Sequence, residues 1–327
     1  MFQALMSQPP RVLTADRGDA GRRLDLVLRR HLTDVRAATR TRVQRWIESG
    51  RITVNGRPVR RTSARAALGD VVAVMLPDAA EPAPMAAENV PLDVLYEDQD
   101  MLALNKPAGV VVHPSYRNTT GTTMNALLWH ARGWPSGQRP SLVGRLDKGT
   151  SGVILVARTA AVHAALQRAM ASSDAEKQYL AVVYGRVNVA RGKIELRLEH
   201  DPLDRRRMAA SATRGAPSLT RFERLARVAA PRAGLSLLRC RLVTGRTHQI
   251  RAHLSARGWP LVGDLKYGGA RWPEIADPSL SATLRAFPRP ALHASRLAFT
   301  HPVTRARVVI EAPLPLDFQD LLAASGL

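Results

Sequence analysis

The sequence predicts an α+β fold in two parts: a small helix-helix-hairpin module, followed by a larger domain built on a mostly antiparallel sheet. Three observations carry this. Before residue 51, two short stretches space their apolar residues by three and four, as helices do. Beyond residue 91, short apolar runs rich in β-formers follow one another between Gly, Pro and Asp turns. Between them lies DAAEPAPMAAENVP (78–91), which has no period and reads as a linker. The expected organisation is a tail at 1–10, the module at 11–77, the linker at 78–91 and the large domain at 92–327.

The elements follow in order. GRRLDLVLRRHL (21–32) places Leu24, Val27, Leu28 and His31 or Leu32 on one side of a helix. TRVQRWIESG (41–50) turns Val43, Trp46 and Ile47 inward and stops at Gly50. RITVNGRPV (51–59) sets Asn-Gly between β-formers, a strong hairpin signal. GDVVAVMLP (69–77) closes the module as a strand. In the large domain LDVLYEDQDMLALNKP, SGVILVART, KQYLAVVYGRV, KIELRLE, LSLLRCRLVTG and SRLAFTHP read as strands, and TTMNALLWHARG and TAAVHAALQRAMASS as helices. No heptad array or short-period repeat is present.

At 327 residues, two domains are expected, and 45% hydrophobic with 23% charged residues suits a packed core. Lys and Arg total 48 against 27 Asp and Glu, a net charge of +21. A bias toward Arg and Ala explains why only five of the basic residues are lysine, but not the shortage of acids. The excess implies a polyanionic partner. Eleven arginines fall between Arg29 and Arg65, inside the small module. Cys240 alternates with Leu238 and Leu242 and reads as a small buried hydrophobe. One cysteine allows no disulfide within the chain, which fits a reducing compartment. MFQALMSQPPRV has neither a basic start nor a long apolar run, and no stretch is long enough to span a membrane, so the expected location is cytoplasmic. His248 and His253 are five apart and miss the four-residue spacing of a helical zinc pair, so no metal is expected.

Residues 20–77, through RRLDLVLRRHL, RTRVQRWIESGRITVNGRPV and LGDVVAVMLP, resemble the small RNA-binding module named after ribosomal protein S4. From about Leu92 to Phe299, LYEDQDMLALNKPAGVVVHPS, GRLDKGTSGVILVART, KQYLAVVYGRV, LVTGRTHQIRAHL, PLVGDLKYGG and ALHASRLAFTHP resemble the RluA-type pseudouridine synthases. One departure stands out: Gly144 replaces the histidine common before Arg-Leu-Asp. GRLD is typical of the RsuA-like relatives, which lack the TGRTHQIR form.

Alone, GRLDKGTSG (144–152) is a turn signal with Asp147 between Arg145 and Lys148. The resemblance makes Asp147 the aspartate on which catalysis depends. Uridine isomerisation moves the ribose anomeric carbon from a ring nitrogen to a ring carbon, with no net redox change or hydrolysis, so no cofactor is expected. A carboxylate can attack the anomeric carbon or take the ribose 2′ proton. In a dry site it needs a fixed cation, and the resemblance gives that role to Arg246. Tyr179 shares a strand face with Lys177 and Ala181. On burial alone it is a core residue, and the resemblance places it over the uracil ring. Arg145 fills the stack left by a flipped nucleotide in the resembling family. Lys106, Lys177 and Leu261 are carried as further substrate-binding residues. The expectation is a monomeric RNA pseudouridine synthase acting on large-subunit ribosomal RNA, with transfer RNA as the runner-up. A catalytically inactive RNA-binding assembly factor is the rival from another class.

Overall fold

The computed structural model describes residues 9–35, 38–76, 85–114, 118–228 and 234–327. Half of the expected linker, most of the tail and Arg36 lie outside the described residues. The chain divides into two compact units, Met1–Pro84 and Met85–Leu327.

The first unit runs β1 (Arg11–Thr14), α1 (Leu24–His31), α2 (Arg40–Glu48), β2 (Ile52–Val54), β3 (Arg57–Pro58) and β4 (Val71–Val74). Its sheet order is β1-β4-β2-β3. Leu24, Leu28, Val43, Trp46 and Ile47 pack on Ile52, Val72 and Val74, so the apolar faces read from the sequence meet in one core. Asn55 and Gly56 both take positive φ, 51° and 77°, as a tight hairpin turn requires. β1 was not expected. Three of its four residues are exposed, which leaves no alternation to read, and its backbone pairing with β4 is what defines it.

The second unit begins with β5 (Val94–Glu97), β6 (Met101–Lys106), α3 (Thr123–His130), β7 (Ser141–Val143), β8 (Ser151–Ala157) and α4 (Ala160–Ala171). It continues through β9 (Glu176–Tyr184), β10 (Arg191–His200), β11 (Met208–Ser211), β12 (Ala216–Val228), β13 (Leu235–Leu242) and α5 (Gln249–Ala256). It ends with α6 (Pro278–Ala286), β14 (Leu292–Thr300), β15 (Arg307–Glu311) and α7 (Leu316–Ser325). One 11-stranded sheet runs β11-β10-β12-β13-β9-β14-β8-β6-β5, with β15 beside β14 and β7 beside β8. Every pairing is antiparallel except β14 with β8, which bears out the mostly antiparallel α+β expectation.

All seven residues of β8 are buried because both of its faces are covered. Val153, Leu155 and Ala157 face α4, β14 and β15, while Ile154 and Val156 face α3. In β9 and β13 the two faces divide likewise. Ala181, Val183, Leu238 and Cys240 lie under α5, and Val182, Tyr184 and Leu235 lie under α6 and α7. Cys240 is buried there and its thiol is pushed up to about 12. Gly152 has φ 110°, and a Cβ on it would strike the backbone of Ala294 where β8 runs beside β14. Among the described residues no helix is long and apolar enough to cross a membrane.

Candidate active site

Asp147 sits in the turn between β7 and β8. Its carbonyl accepts the Thr150 N–H at 3.0 Å, so the stretch is a turn in its backbone as well. Two buried cations fix that turn from behind. Lys106 Nζ donates to the carbonyls of Pro107 (2.6 Å), Val110 (3.0 Å) and Lys148 (3.4 Å). Arg289 Nη1 donates to Gly149 O at 3.3 Å while its fork holds Asp317. Burial, helped by repulsion from Arg289, pushes the Lys106 amine down to about 8. Gly144 has φ 88°, a left-handed backbone that a histidine would adopt only with strain, so glycine suits this bend.

The Asp147 side chain, 19% exposed, opens into a cavity of about 630 Å³. Its Oδ2 accepts Arg251 Nη1 at 3.0 Å. Arg251 lies in the first turn of α5, is 9% exposed, and donates through Nε (2.7 Å) and Nη2 (2.8 Å) to Asp264, which is almost wholly buried. Burial works against the Arg251 charge, but the hydrogen bonds and attraction of Asp264 and Asp147 outweigh it and raise its pKa. The guanidinium also lies over the Tyr267 ring, 4.9 Å from its centroid. Asp147 Oδ1 has no hydrogen bond among the described residues, so one carboxylate oxygen is held and the other faces the cavity.

Tyr179 and Lys177 line the same cavity from β9, with Met170, Leu242, Leu292 and Leu297 supplying apolar wall. Burial raises the Tyr179 phenol well above its usual value, and the Asp147 charge adds to this, so the hydroxyl stays protonated at neutral pH. Lys177 Nζ is tied to Met170 O at 3.0 Å, and burial lowers its pKa. Arg145 and Arg246 are exposed on the lining.

Three sequence expectations are corrected by this geometry. The fixed cation on Asp147 is Arg251, not Arg246. The Arg246 N–H is held by Gln249 Oε1 at 3.0 Å in the turn before α5, which leaves its guanidinium at the exposed rim. Lys106 is 1% exposed and off the lining; it staples loops rather than meeting substrate. Leu261 packs with Val183, Leu238 and Leu254 in the core under α5 instead of walling the cavity.

The central residues match RNA pseudouridylate synthase over 100–256, and an S4 domain over 22–72. The chain is 42% identical over 316 residues to ribosomal large subunit pseudouridine synthase D of Xylella fastidiosa, covering 96% of this chain and 92% of that protein. It belongs to the RNA pseudouridylate synthase family. A second relative of the same description, from Xanthomonas campestris, is 41% identical over 93% of this chain and 89% of its own length. Human RNA pseudouridylate synthase domain containing 1 shares the fold at a TM-score of 0.55 and 27% identity, over 75% of this chain and 90% of that one. This pseudouridine synthase is therefore an isomerase with an appended RNA-binding domain.

Arg251, Asp264 and Tyr267 lie within TGRTHQIRAHL and GDLKYGG but carry no pattern that marks them, because α5 buries polar residues and shows no apolar period.

Proposed function

We propose that this synthase converts uridine to pseudouridine in large-subunit ribosomal RNA, with Asp147 Oδ1 as the reacting oxygen. The observation that carries the reading is the division of labour within one carboxylate. Oδ2 is fixed by Arg251, whereas Oδ1 is open to a pocket sized for a flipped nucleoside. An oriented carboxylate in a partly dry site serves either route open to it, addition to the anomeric carbon or removal of the ribose 2′ proton. Arg251 stays charged in both and holds Asp147 in place through Oδ2.

Tyr179 is the face on which the uracil turns. Its phenol is a donor at neutral pH, suited to hold a carbonyl of the detached ring. Arg145 and Arg246 at the rim meet the RNA strand around the flipped position, and Arg145 fills the gap in the stack. Lys177 borders the ring from the same strand face as Tyr179. The domain limits 11–77 and 92–327 separate anchoring from chemistry. The proposed form is a monomer, and the ribosomal RNA substrate implies work in the cytoplasm.

The RNA class rests on the large-subunit description carried by the relatives. The test is a map of pseudouridine in ribosomal and transfer RNA from cells lacking this gene, then supplied with the parent chain or Asp147→Asn. Sites should vanish from large-subunit RNA and return with the parent chain alone. Loss confined to transfer RNA overturns the RNA assignment. Restoration by Asp147→Asn overturns the catalytic one.

A further inference from the structure

We propose that His248 is a positioning residue for this reaction: a neutral imidazole, locked by Tyr267 as the Nε2–H tautomer, that donates to Oδ2 of Asp147 beside Arg251 and keeps Oδ1 turned to the nucleotide. The inference rests on the reading of Asp147 as the reacting group.

The backbone gives the first indication. His248 has φ 54° and ψ 21°, a left-handed conformation costly for any residue with a Cβ. It occupies the N-cap of α5, where Ser, Thr, Asp or Asn would satisfy a free N–H, yet its side chain makes no capping bond. The ring is aimed into the cavity instead. A strained residue that gives up a cap is held for some other use.

Tyr267 decides the tautomer. Its hydroxyl oxygen accepts the backbone N–H of Met208 at 2.7 Å. An amide N–H only donates, so the single hydroxyl proton is left for its other partner, His248 Nδ1, at 2.9 Å. Nδ1 is then an acceptor, and the neutral ring carries its proton on Nε2. The two rings meet edge to face at 5.6 Å, which fixes the imidazole plane. Nε2 lies 3.7 Å from Asp147 Oδ2, the oxygen that Arg251 already holds. Hydrogen bonds at such sites are often long without substrate and shorten in the complex.

Charges surround the ring on three elements. Asp147 on the catalytic turn and Asp264 beyond α5 favour a proton; Arg251 on α5 and Lys266 beside Tyr267 oppose it. Burial is the largest influence and lowers the imidazole pKa, so the ring is neutral at pH 7. Neutrality suits the task. Arg251 already supplies one cation to Oδ2, and a neutral N–H orients the carboxylate while withdrawing less of its basicity than a second cation would.

Single-turnover pseudouridine formation on an unmodified large-subunit ribosomal RNA transcript tests this, with RNA affinity measured separately. The amide of Gln places an N–H where Nε2 stands, so His248→Gln should stay within about fivefold of the parent rate. His248→Leu, with no donor, should fall by about 100-fold or more at saturating RNA with affinity unchanged. Tyr267→Phe should slow the parent by about tenfold and add nothing in the His248→Gln background, because the hydroxyl acts through the imidazole. If His248→Leu fails to fold, the Tyr267 comparison in the two backgrounds decides alone. Equal rates for the Gln and Leu variants, or an equal Tyr267→Phe effect in both backgrounds, overturn the positioning role. A parent chain that forms no pseudouridine overturns the underlying reading, and the proposal with it.

Discussion

In the first unit Arg45, Arg57, Arg60 and Arg61 stand exposed with no ion pair among the described residues, while in the second unit Arg251 is buried between Asp147 and Asp264. The side chain is the same and the physics is opposite. An exposed guanidinium keeps its hydration, moves freely and is screened within about 8 Å at physiological salt. It contributes to polyanion binding by counterion release, and any neighbour can replace it. Arg251 has lost water on most sides and makes three hydrogen bonds to two carboxylates. Removing it strands charges that cannot rehydrate. The first unit's effects should therefore be graded and salt-dependent, and the pocket's abrupt and insensitive to salt.

The largest effect should come from Asp147→Asn. Asparagine keeps the shape and accepts from Arg251, but is neither base nor nucleophile. Single-turnover rates should fall by about 1,000-fold or more, with RNA affinity within about twofold and the salt slope unchanged. Turnover retained in folded protein would return Asp147 to a plain turn residue and dissolve the contrast between the regions.

Next comes a comparison inside one motif. Arg251→Ala should cost about 3–5 kcal/mol of stability, since it leaves Asp264 and Asp147 unpaired, and should abolish activity. Arg246→Ala, five residues earlier, should change stability by less than about 0.5 kcal/mol, as surface substitutions do. It should act instead on RNA affinity and its salt dependence. Urea denaturation of the two variants separates them, and equal losses would show that exposure does not decide the role of these arginines.

How far the sequence reached follows the same division. Some elements whose burial is apolar were legible, since the alternation around Cys240 gave β13 and SGVILVART gave β8, but β15, α6 and α7 were not read although they also bury apolar residues. α5 was not expected as a helix because Gln249, Arg251 and His253 are polar residues on its buried side, which erases the apolar period. Its pairings with Asp147 and Thr220 join segments far apart in the chain and are fixed only by the fold. Hence Arg246 stood in for Arg251. Asp147 and Tyr179 were singled out by the resemblance, strand alternation put Lys177 on the face of Tyr179, and all three line one cavity. Lys106 and Leu261 came from motifs alone and lie behind the site.

Lys106 sharpens the comparison from a third side, as a buried cation whose hydrogen bonds go to carbonyls only. Its folded pKa of about 8 lies below its ordinary value of 10.5. Between those values the folded chain binds fewer protons than the unfolded one, so stability from this group rises with pH from about 8 to about 10.5 and is flat below 8. Lys106→Met has nothing to titrate there. Parent stability relative to Lys106→Met should therefore climb across that window in urea unfolding at pH 7, 9 and 10. A constant difference would mean that Lys106 titrates as an exposed lysine does, and that burial without a carboxylate leaves a cation undisturbed.

The smallest effect on chemistry should come from the first unit. Arg45, Arg60 and Arg61 are exposed there and free of ion pairs among the described residues. Replacing all three with Gln keeps their length and polarity and removes three charges, and as surface changes they should leave stability nearly unaltered. If each neutralises one phosphate, the slope of log affinity against log salt should become shallower by about 0.7–0.9 per arginine. Affinity at low salt should fall several-fold and the loss should shrink as salt rises, because the parent's advantage is itself electrostatic. At saturating RNA the single-turnover rate should stay within about twofold, since no replaced group enters the pocket. An unchanged slope would show that these arginines face water and not RNA. A rate loss that persists at saturation would be the more serious result, because it would mean that the first unit sets the geometry of the nucleotide and that anchoring and chemistry are not separate tasks.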